Sequence, residues 1–329
     1  MGSIEGIDVN AKPCTTGRAD IAIVGEINPD IIVYGLPREL LEDREVLASG
    51  FTLTLGSSSA ILAHNLALLG SSVSLSSLIG CDVLGEMCCQ KLREAGVEIG
   101  HVIRSASGTS TGVTLILPLA SSRRILTFPG TMFELGKDHL DLGYLASAKH
   151  FHLSSLFLHR KLSPDIPGLF QEMKRRGLTT SLDTNDDPEN KWDGGLEQIL
   201  PLVDVLFCNE EELMKIAKTE SAEAHVSAKV PLLVVKRGAR GASAYTRGRR
   251  IDVPSLQVEA IDSVGAGDSF DAGFLHQWVN HAPLETCVAY GNLAGSLSVT
   301  RSGGTEAFID SAYRLSYLEQ HWKNNTLVP

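Results

Sequence analysis

The residues best suited to chemistry in this chain lie together in residues 262–270, which read D-S-V-G-A-G-D-S-F. A helical pattern begins near Gly267, and small residues at a helix start leave backbone N–H groups uncovered, with the helix dipole pointing at them. Gly265, Ala266 and Gly267 therefore suit an anion, typically a phosphate. Asp268 stands in the same turn, where a carboxylate beside an anion is electrostatically costly. We interpret Asp268 as a group that accepts a proton; the alternative is a glycine-rich loop capped by an acid.

Two common phosphate-binding patterns are excluded at this loop. The dinucleotide fingerprint G-x-G-x-x-G needs a small residue three positions after Gly267, where this chain has Phe270. The Walker A pattern G-x-x-x-x-G-K-[ST] is absent from the sequence. The loop instead resembles the D-[ST]-x-G-A-G-D signature of the PfkB/ribokinase family of small-molecule kinases, which is intact here.

The composition is that of a globular protein. Its 329 residues, 43% hydrophobic and 21% charged, are enough for one large α/β domain or two ordinary ones. A net charge of −10 argues against a nucleic-acid partner, and no apolar run approaches the ~18 residues that a membrane span requires. The six cysteines form no C-x-x-C pair, which favours free thiols in a reducing compartment. We expect a cytoplasmic protein without nucleic-acid or membrane partners.

Apolar runs alternate with helical patterns, which predicts a parallel sheet with helices on both faces. Residues 1–18 are expected to be a loose tail without a secretory signal, and residues 19–329 one α/β domain. Residues 31–55 and 109–128 read as extended, the second as a hairpin turning at residues 120–122. We expect these two segments to form a lid of two or three strands. Predicted strands are residues 19–27, 73–79, 149–153, 179–183, 205–208 and 231–236, with an apolar-alternating segment at 251–261, and predicted helices are residues 57–69, 84–95, 165–176, 195–200, 210–218, 267–279, 284–299 and 310–322.

Asn28 and Asp30 follow the first predicted strand, at the end where ligands lie in an open α/β sheet. Their side chains suit hydroxyl groups, although an Asn-Pro-Asp turn is the alternative. By resemblance, an Asn and an Asp at this spacing grip the substrate's hydroxyls in PfkB-like kinases. Gly56 begins a stretch similar to the family's G-G-x-x-x-N-x-A element, with Ser57 replacing the second glycine and Ile61 replacing an Asn that contacts the sugar in ribokinase-like members. Ile61 favours a less polar wall, as for a deoxy sugar, a modified sugar or a nucleoside base.

Asn209 and Glu212 match the family's N-x-x-E element, which implies a carboxylate that holds Mg²⁺ through water, with the amide beside it. The alternative is a helix start whose acids favour the dipole. Asn185, at the end of the preceding predicted strand, is expected to line the same phosphate channel.

The nucleotide side is also predicted by resemblance. Lys236, Gly238 and Gly241 resemble the turn K-x-G-x-x-G, whose glycines let the backbone approach the ribose and adenine. Asn292 and Gly303 resemble the opposite wall of the adenine pocket. Some family members bind a monovalent cation, such as K⁺, through backbone carbonyls between the signature loop and the turn at residues 301–304; the sequence leaves this open.

The resemblance implies a ribokinase-like three-layer α/β/α sandwich with a mainly parallel central sheet and a small β-sheet lid. It also implies ATP- and Mg²⁺-dependent phosphorylation of a hydroxyl on a sugar or sugar-like molecule, with Asp268 as general base and a backbone anion hole. The alternatives are a nucleoside kinase of the same family and a non-catalytic sugar or nucleotide sensor. Unphosphorylated sugars are expected first, nucleosides second, and sugar phosphates, held by Arg123 and Arg124, third. An apolar lid face predicts a homodimer through the lid.

Overall fold

The computed structural model describes residues 18–37, 42–119 and 122–323. Residues 1–17 of the tail expected at residues 1–18, and the turn residues 120 and 121 of the predicted hairpin, lie outside this part of the chain. The strands are β1 Ile21–Val24, β2 Pro29–Tyr34, β3 Gly50–Leu55, β4 Val73–Ile79, β5 Val102–Arg104, β6 Val113–Leu119, β7 Ser122–Phe128, β8 His150–Ser154, β9 Thr179–Asp183, β10 Val205–Asn209, β11 Leu232–Lys236, β12 Ala242–Thr246 and β13 Arg249–Val253. The helices are α1 Ser58–Leu68, α2 Val83–Glu94, α3 Leu142–Leu145, α4 Ile166–Arg175, α5 Leu196–Ile199, α6 Glu210–Ala217, α7 Ala222–Ser227, α8 Ala266–Trp278, α9 Leu284–Ser298, α10 Glu306–Ile309 and α11 Ser311–Lys323.

The main sheet has the order β13-β12-β11-β10-β9-β8-β1-β4-β5. Its strands from β11 to β5 run parallel, whereas β12 and β13 form an antiparallel edge. From β1 the chain continues to β4 and β5 on one side and later returns to β8 on the other. The strand order therefore reverses between β1 and β8, and in open α/β sheets ligands bind beyond the carboxyl ends of the strands at such a point.

Helices cover both faces of this sheet, because its buried strands alternate their side chains between two cores. Ile21 and Ile23 of β1 pack with α1, α2, α8 and α9, whereas Ala22 and Val24 pack into the opposite core with α4 to α7. Phe274 of α8 meets Phe207 of β10 edge to face, with ring centroids 5.1 Å apart. This packing fixes α8, whose first turn carries the glycine-rich loop, against the centre of the sheet. The predicted three-layer sandwich is confirmed.

The lid is a separate sheet with the order β3-β2-β6-β7. Four strands are described, where the sequence predicted two or three, because β2 begins at Pro29 and pairs with both segments. Its inner face carries Asp30, Ile32 and Thr54, which are buried over the carboxyl ends of the main sheet. The lid thus places one carboxylate above the glycine-rich loop.

Two further predictions about the chain required correction. The apolar alternation at residues 251–261 does not continue as a strand, because the chain leaves β13 after Val253 and runs as irregular backbone to the glycine-rich loop. The antiparallel hairpin of β12 and β13 was not predicted from the sequence, because both strands are partly exposed and neither is a full apolar run. In the described part of the chain, no helix has the length and apolar character needed to cross a membrane.

Candidate active site

The glycine-rich loop ends in a tight turn that starts α8. Gly265 is the N-cap with φ +70°, a left-handed conformation that favours glycine. A side chain here is also excluded by space, because an added Cβ would lie 2.6 Å from the Cα of Gly304. Ala266 donates a long hydrogen bond to the carbonyl of Ser263 at 3.3 Å. Within the described residues, the N–H groups of Gly265 and Gly267 have no backbone acceptor and remain available to an anion.

Asp268 occupies the first turn of α8, directly after those N–H groups. Burial raises the pKa of its carboxyl to about 6, against the opposing effect of Lys236. Asp183 and Glu26 raise it further, and a hydrogen bond from the Ser58 side chain lowers it. At neutral pH the group is therefore ionised yet a much stronger base than a solvated aspartate, which is the property required of a proton acceptor.

Asn28 and Asp30 lie together at the start of β2, facing the loop. The Asn28 amide donates to the Thr114 hydroxyl at 3.1 Å and, more weakly, to Asp30 Oδ1 at 3.4 Å. Burial raises the pKa of Asp30 to about 7, and the nearby charge of Asp268 raises it as well. Since the two carboxyls influence each other, their titration belongs to the pair. A hydroxyl placed between them would have two acceptors within one pocket.

The start of α1 borders the same pocket. Gly56 packs directly on Asp30, because an added Cβ would fall 2.1 Å from Asp30 Oδ1. Ser57 is the N-cap of α1: its hydroxyl accepts from the N–H of Ala60 at 3.2 Å and donates to the carbonyl of Glu26 at 2.8 Å. Ser57 therefore fixes the helix start in this structure.

Ile61 lies beneath the glycine-rich loop and is only 2% exposed. Its side chain is packed against the backbone of Gly265 and Gly304 so closely that an added Cβ at either glycine would meet it within 3.2 Å. Its apolar surface therefore supports the loop from below. Any effect on substrate choice would act through the position of that loop, and the role predicted for Ile61 at a substrate wall stays a prediction.

Lys236 forms the centre of a buried ionic cluster. Its Nζ lies 2.6 Å from Asp183 Oδ2 and 3.1 Å from Asp271 Oδ2. Burial alone would lower the pKa of Lys236, but the two aspartates raise it well above its usual value. Burial opposes ionisation of Asp183, but Lys236 holds the pKa of Asp183 below its usual value. The pKa of Asp271, in contrast, is raised well above its usual value by burial. The ammonium predicted to face the nucleotide is thus directed at carboxylates beside Asp268.

Asn209 and Glu212 form a reciprocal cap at the start of α6. The Asn209 side chain accepts from the N–H of Glu212 at 2.9 Å, and Glu212 Oε2 accepts from the N–H of Asn209 at 2.7 Å. Burial raises the pKa of Glu212 to about 7, and Asp183 adds to this. The cap occupies Oε2, and among the described residues Oε1 has no hydrogen-bond donor. Glu212 thus has one oxygen bound in the cap and one free to accept a hydrogen bond, and other acidic side chains lie nearby. This arrangement fits a Mg²⁺ ion that is held through its water ligands.

The residues predicted for the nucleotide side fall into three groups. Gly238 starts the turn after β11 with φ +58°. Gly241 packs on the carbonyl of Val253, to which Asn292 donates a hydrogen bond at 2.9 Å, so these two meet at the end of β13. Asn185 lies apart, after β9; its Oδ1 accepts from the N–H of Ser155 at 2.8 Å.

Gly303 lies on the opposite side of the glycine-rich loop. Its N–H donates to Asp262 Oδ2 at 3.0 Å, and its Cα is close to Thr54 of the lid. This bond ties the turn at residues 301–304 to the first residue of the signature. The structure thus brings the signature, the lid and this turn together, while Gly238 and Gly241 lie at the far end of the cleft on the β11 side.

Several residues of the site were not found from the sequence. Glu26 and Asp271 have no motif of their own, and only their burial beside Asp268 identifies them. Arg123 of β7 donates to the Ser263 hydroxyl at 3.3 Å, so one of the two lid arginines reaches the signature loop. A buried acid directly after an apolar strand, as in G-E-I-N, was the available signal for Glu26.

Comparison with known proteins agrees with this geometry. The model of the pfkB family carbohydrate kinases matches residues 18–311. The chain belongs to this family. It is therefore an ATP-dependent carbohydrate kinase. This kinase is 28% identical over 253 residues to the ATP-dependent ribose-1-phosphate kinase of Halopiger xanaduensis, an alignment that covers 77% of this chain and 82% of that protein.

Solved structures of the same fold resemble the kinase over most of its length. An E. coli protein of the ribokinase II type, in complex with ATP and Mg²⁺, superposes with a TM-score of 0.81 at 23% identity and covers 92% of this chain and 100% of its own. The adenosine kinase of Sinorhizobium meliloti gives a TM-score of 0.80 at 20% identity, covering 91% and 100% of the two chains. At these identities the likeness concerns the fold.

We predict that the desolvated carboxylate of Asp268 lowers the free energy of unfolding of the kinase. Because burial raises the pKa of Asp268 from 3.8 to about 6, the ionised side chain destabilises the folded state above pH 6, and this cost disappears as the pH falls below about 4. Asp268→Asn should therefore raise the free energy of unfolding at pH 8 by roughly 1–3 kcal/mol. The gain should vanish near pH 4, as measured by urea denaturation across pH.

The matched control is Glu211→Gln, which removes an exposed acid and should change stability by less than about 0.5 kcal/mol. A destabilised Asp268→Asn at pH 8 would contradict this assignment of the charge.

Proposed function

We propose that Asp268 is the general base of this kinase and that the N–H groups of Gly265, Ala266 and Gly267 stabilise the transferring phosphoryl group. The observation that carries the proposal is the coincidence, in one helix turn, of uncovered N–H donors with a carboxyl whose pKa is raised to about 6. The donors suit phosphoryl charge, and the carboxyl suits the proton of an attacking hydroxyl. Ala266 contributes least, because its N–H already donates to Ser263.

Asn28 and Asp30 are proposed to orient the substrate's hydroxyls towards Asp268. Both lie on the inner side of the lid start, within electrostatic reach of the base. Gly56 and Ser57 contribute by shape, since they hold the start of α1 against Asp30 and Glu26. Orienting the substrate's hydroxyls in this way raises the rate because it places the reacting oxygen correctly; it adds no further chemical step.

Glu212 and Asn209 are proposed to hold Mg²⁺ through water molecules at the start of α6. The metal, when bound, neutralises phosphate charge. The residues of this chain hold the start of α6 through their reciprocal cap and present one carboxylate oxygen. Gly238, Gly241, Asn292, Asn185 and Gly303 are proposed to line the nucleotide cleft around them. Lys236 is proposed to act here through Asp183 and Asp271, which its ammonium contacts directly.

The proposed substrate is an unphosphorylated sugar. Besides burial, the charges of Asp268 and Asp262 raise the pKa of Asp30, whereas the hydrogen bond from Asn28 and the charge of Arg123 lower it. The charged groups that act on Asp30 are therefore mostly negative. An excess of negative charge disfavours an anionic substrate. A sugar phosphate is the second candidate, favoured by the contact of Arg123 with the signature loop and by the similarity to a ribose-1-phosphate kinase. A nucleoside is the third, by resemblance to the family.

An ADP-release screen across free sugars, nucleosides and sugar phosphates at equal concentration tests this ranking, with ribose included to test the argument from Ile61. Arg123→Ala and Arg124→Ala form a matched pair, because only Arg123 contacts the loop. A sugar phosphate as best substrate, with its KM raised by Arg123→Ala alone, would replace the proposal.

Free thiols and the use of ATP support a cytoplasmic location. Cys81, Cys88, Cys89, Cys208 and Cys287 are unpaired in the described residues. We propose that the kinase works in that reducing, ATP-rich compartment.

Replacing the proposed base tests the mechanism. Asp268→Asn keeps size and polarity but cannot accept a proton, so kcat should fall by ~10²–10⁴-fold. Affinity for ATP, measured by calorimetry, should change little because the N–H groups remain. A fall in kcat of less than about tenfold would remove Asp268 from this role.

Replacing Glu212 tests the metal site. Glu212→Gln should raise the Mg²⁺ concentration for half-maximal rate by roughly tenfold, as loss of an outer ligand does elsewhere. The folded state should change by no more than ~1 kcal/mol, because the lost dipole interaction of ~0.3–1 kcal/mol is opposed by relief of the desolvated charge. Glu211→Gln, the exposed neighbour, should leave the Mg²⁺ titration unchanged, and an unaltered titration for Glu212→Gln would contradict the site.

A homodimer through the lid is proposed from its outer face. Strand register places a continuous row of apolar side chains on that face. Its exposed members are Phe51, Leu53, Leu126 and Phe128. An apolar sheet face of this extent is usually covered.

Light scattering at micromolar concentration should therefore give about twice the chain mass of 35.3 kDa. The double variant Phe51→Glu/Phe128→Glu should give a monomer, whereas Val83→Glu, an exposed apolar position on α2, should stay dimeric. A wild-type mass near 35.3 kDa would contradict the dimer.

A further inference from the structure

Glu26 is a buried carboxylate directly beyond β1, where the strand order reverses. It is 2% exposed. Its Oε1 accepts from the N–H of Ser58 at 3.1 Å and from the Ser155 hydroxyl at 2.8 Å, and its Oε2 accepts from the Ser59 hydroxyl at 2.9 Å. These donors come from the start of α1 and from the residue after β8. The carboxylate therefore joins the two elements that border the reversal point, and its oxygens are engaged by the protein itself.

Within the described part of the chain, no lysine or arginine forms an ion pair with Glu26. His159 lies 3.6 Å from Oε2, but its Nε2 donates to the carbonyl of Ser154 at 3.0 Å. Burial lowers the pKa of His159, so its ring is neutral at physiological pH. The start of α1 stabilises the carboxylate through its N–H and the helix dipole.

Ser58 connects Glu26 to Asp268. Its backbone N–H donates to Glu26 Oε1, while its side chain hydrogen-bonds the Asp268 carboxyl. Ser58 therefore contacts Glu26 and acts on the pKa of Asp268, so the first turn of α1 connects the two carboxyl groups.

The close approach of α1 to β1 depends on a glycine. A Cβ added to Gly25 would lie 1.7 Å from the Ser59 hydroxyl oxygen. Only a residue without a side chain lets Ser59 lie over the end of β1 and reach Glu26. Gly25 and Glu26 thus together allow the start of α1 to pack on the end of β1. A loop that only ended a strand would not require this close contact.

We propose that Glu26 is a positioning residue for the base Asp268. It holds Ser58, and with it the Asp268 carboxyl, and its negative charge acts on that carboxyl against the positive charge of Lys236. This inference rests on the proposed function, in which Asp268 accepts the proton. Glu26 does not need to touch the substrate to act.

Charged groups from several elements face Asp268. Lys236 of β11 lowers its pKa, whereas Asp183 of β9 and Glu26 beyond β1 raise it. Asp30 of the lid and Asp271 of α8 also interact with it. Because kcat/KM reports ionisations of the free enzyme, the acidic limb of its pH profile measures this balance.

Two variants that act in opposite directions test the proposal. Glu26→Gln keeps the shape but removes the negative charge, so the acidic limb should move to lower pH. Ser58→Ala removes the hydrogen bond that favours the ionised form of Asp268, so the limb should move to higher pH. Both should lower kcat by roughly tenfold, less than the ~10²-fold expected when a reacting group moves by a full ångström. A merely structural defect would lower activity without moving the limb in opposite directions.

Glu94→Gln, an exposed acid of α2, controls for the change in net charge and should leave the profile unmoved. Limbs that shift in the same direction, or a Glu26→Gln profile and kcat equal to the wild type, would overturn the proposal. If Glu26→Gln does not fold, Ser58→Ala alone tests the proposal. An acidic limb that stays at the wild-type pH in Ser58→Ala would show that Ser58 does not connect Glu26 to Asp268. Wild-type turnover in Asp268→Asn would instead contradict the assignment of Asp268 as the general base.

Discussion

The rest of the site depends on the buried ammonium of Lys236. It joins β11 to β9 and to α8 through Asp183 and Asp271, so its contacts fix the helix that carries Asp268 against the sheet. Removing one partner of such a buried pair usually costs ~3–5 kcal/mol, because the remaining charge is left uncompensated. The cluster also supplies the only cation among the main influences on Asp268. The contacts that fix this helix start therefore also limit the rise in the pKa of Asp268 that burial causes.

The balance of charges around the glycine-rich loop explains why acids and anion donors occur together. Uncovered N–H groups favour negative charge at the loop, whereas Asp30 and Asp268 lie close enough to raise each other's proton affinity. Loss of solvent raises the pKa of both carboxyls towards neutrality, at a cost in stability. The lid contributes to this arrangement, since it carries the buried Asp30 to the loop.

Much of the fold was accessible from the sequence, because strands such as β1 and β11 are apolar runs of the length that buried parallel strands have. Glycine stops also marked helix ends, as at Gly70 with φ +102°. The hairpin of β12 and β13 was missed, since an edge hairpin is half exposed and has no full apolar run. The four-stranded lid was undercounted because residues 31–55, which read as one extended segment, contain most of β2 and all of β3.

The site could be predicted only where a motif was local. The signature loop and the cap of Asn209 with Glu212 are short patterns, and their geometry follows from helix starts. Glu26 and Asp271 act through contacts that join distant parts of the chain, which no local pattern reveals. The resemblance to the family located Lys236, yet the direction of its ammonium depends on two aspartates that only the packed structure brings to it.

The central claim is that the fold makes Asp268 a strong, buried base. Carbon-13 NMR of aspartate-labelled enzyme, with the Asp268 resonance identified by its absence from Asp268→Asn, measures this directly. The account predicts a carboxyl that titrates at about pH 6. A carboxyl that titrates near the ordinary aspartate value of about 3.9 would contradict it.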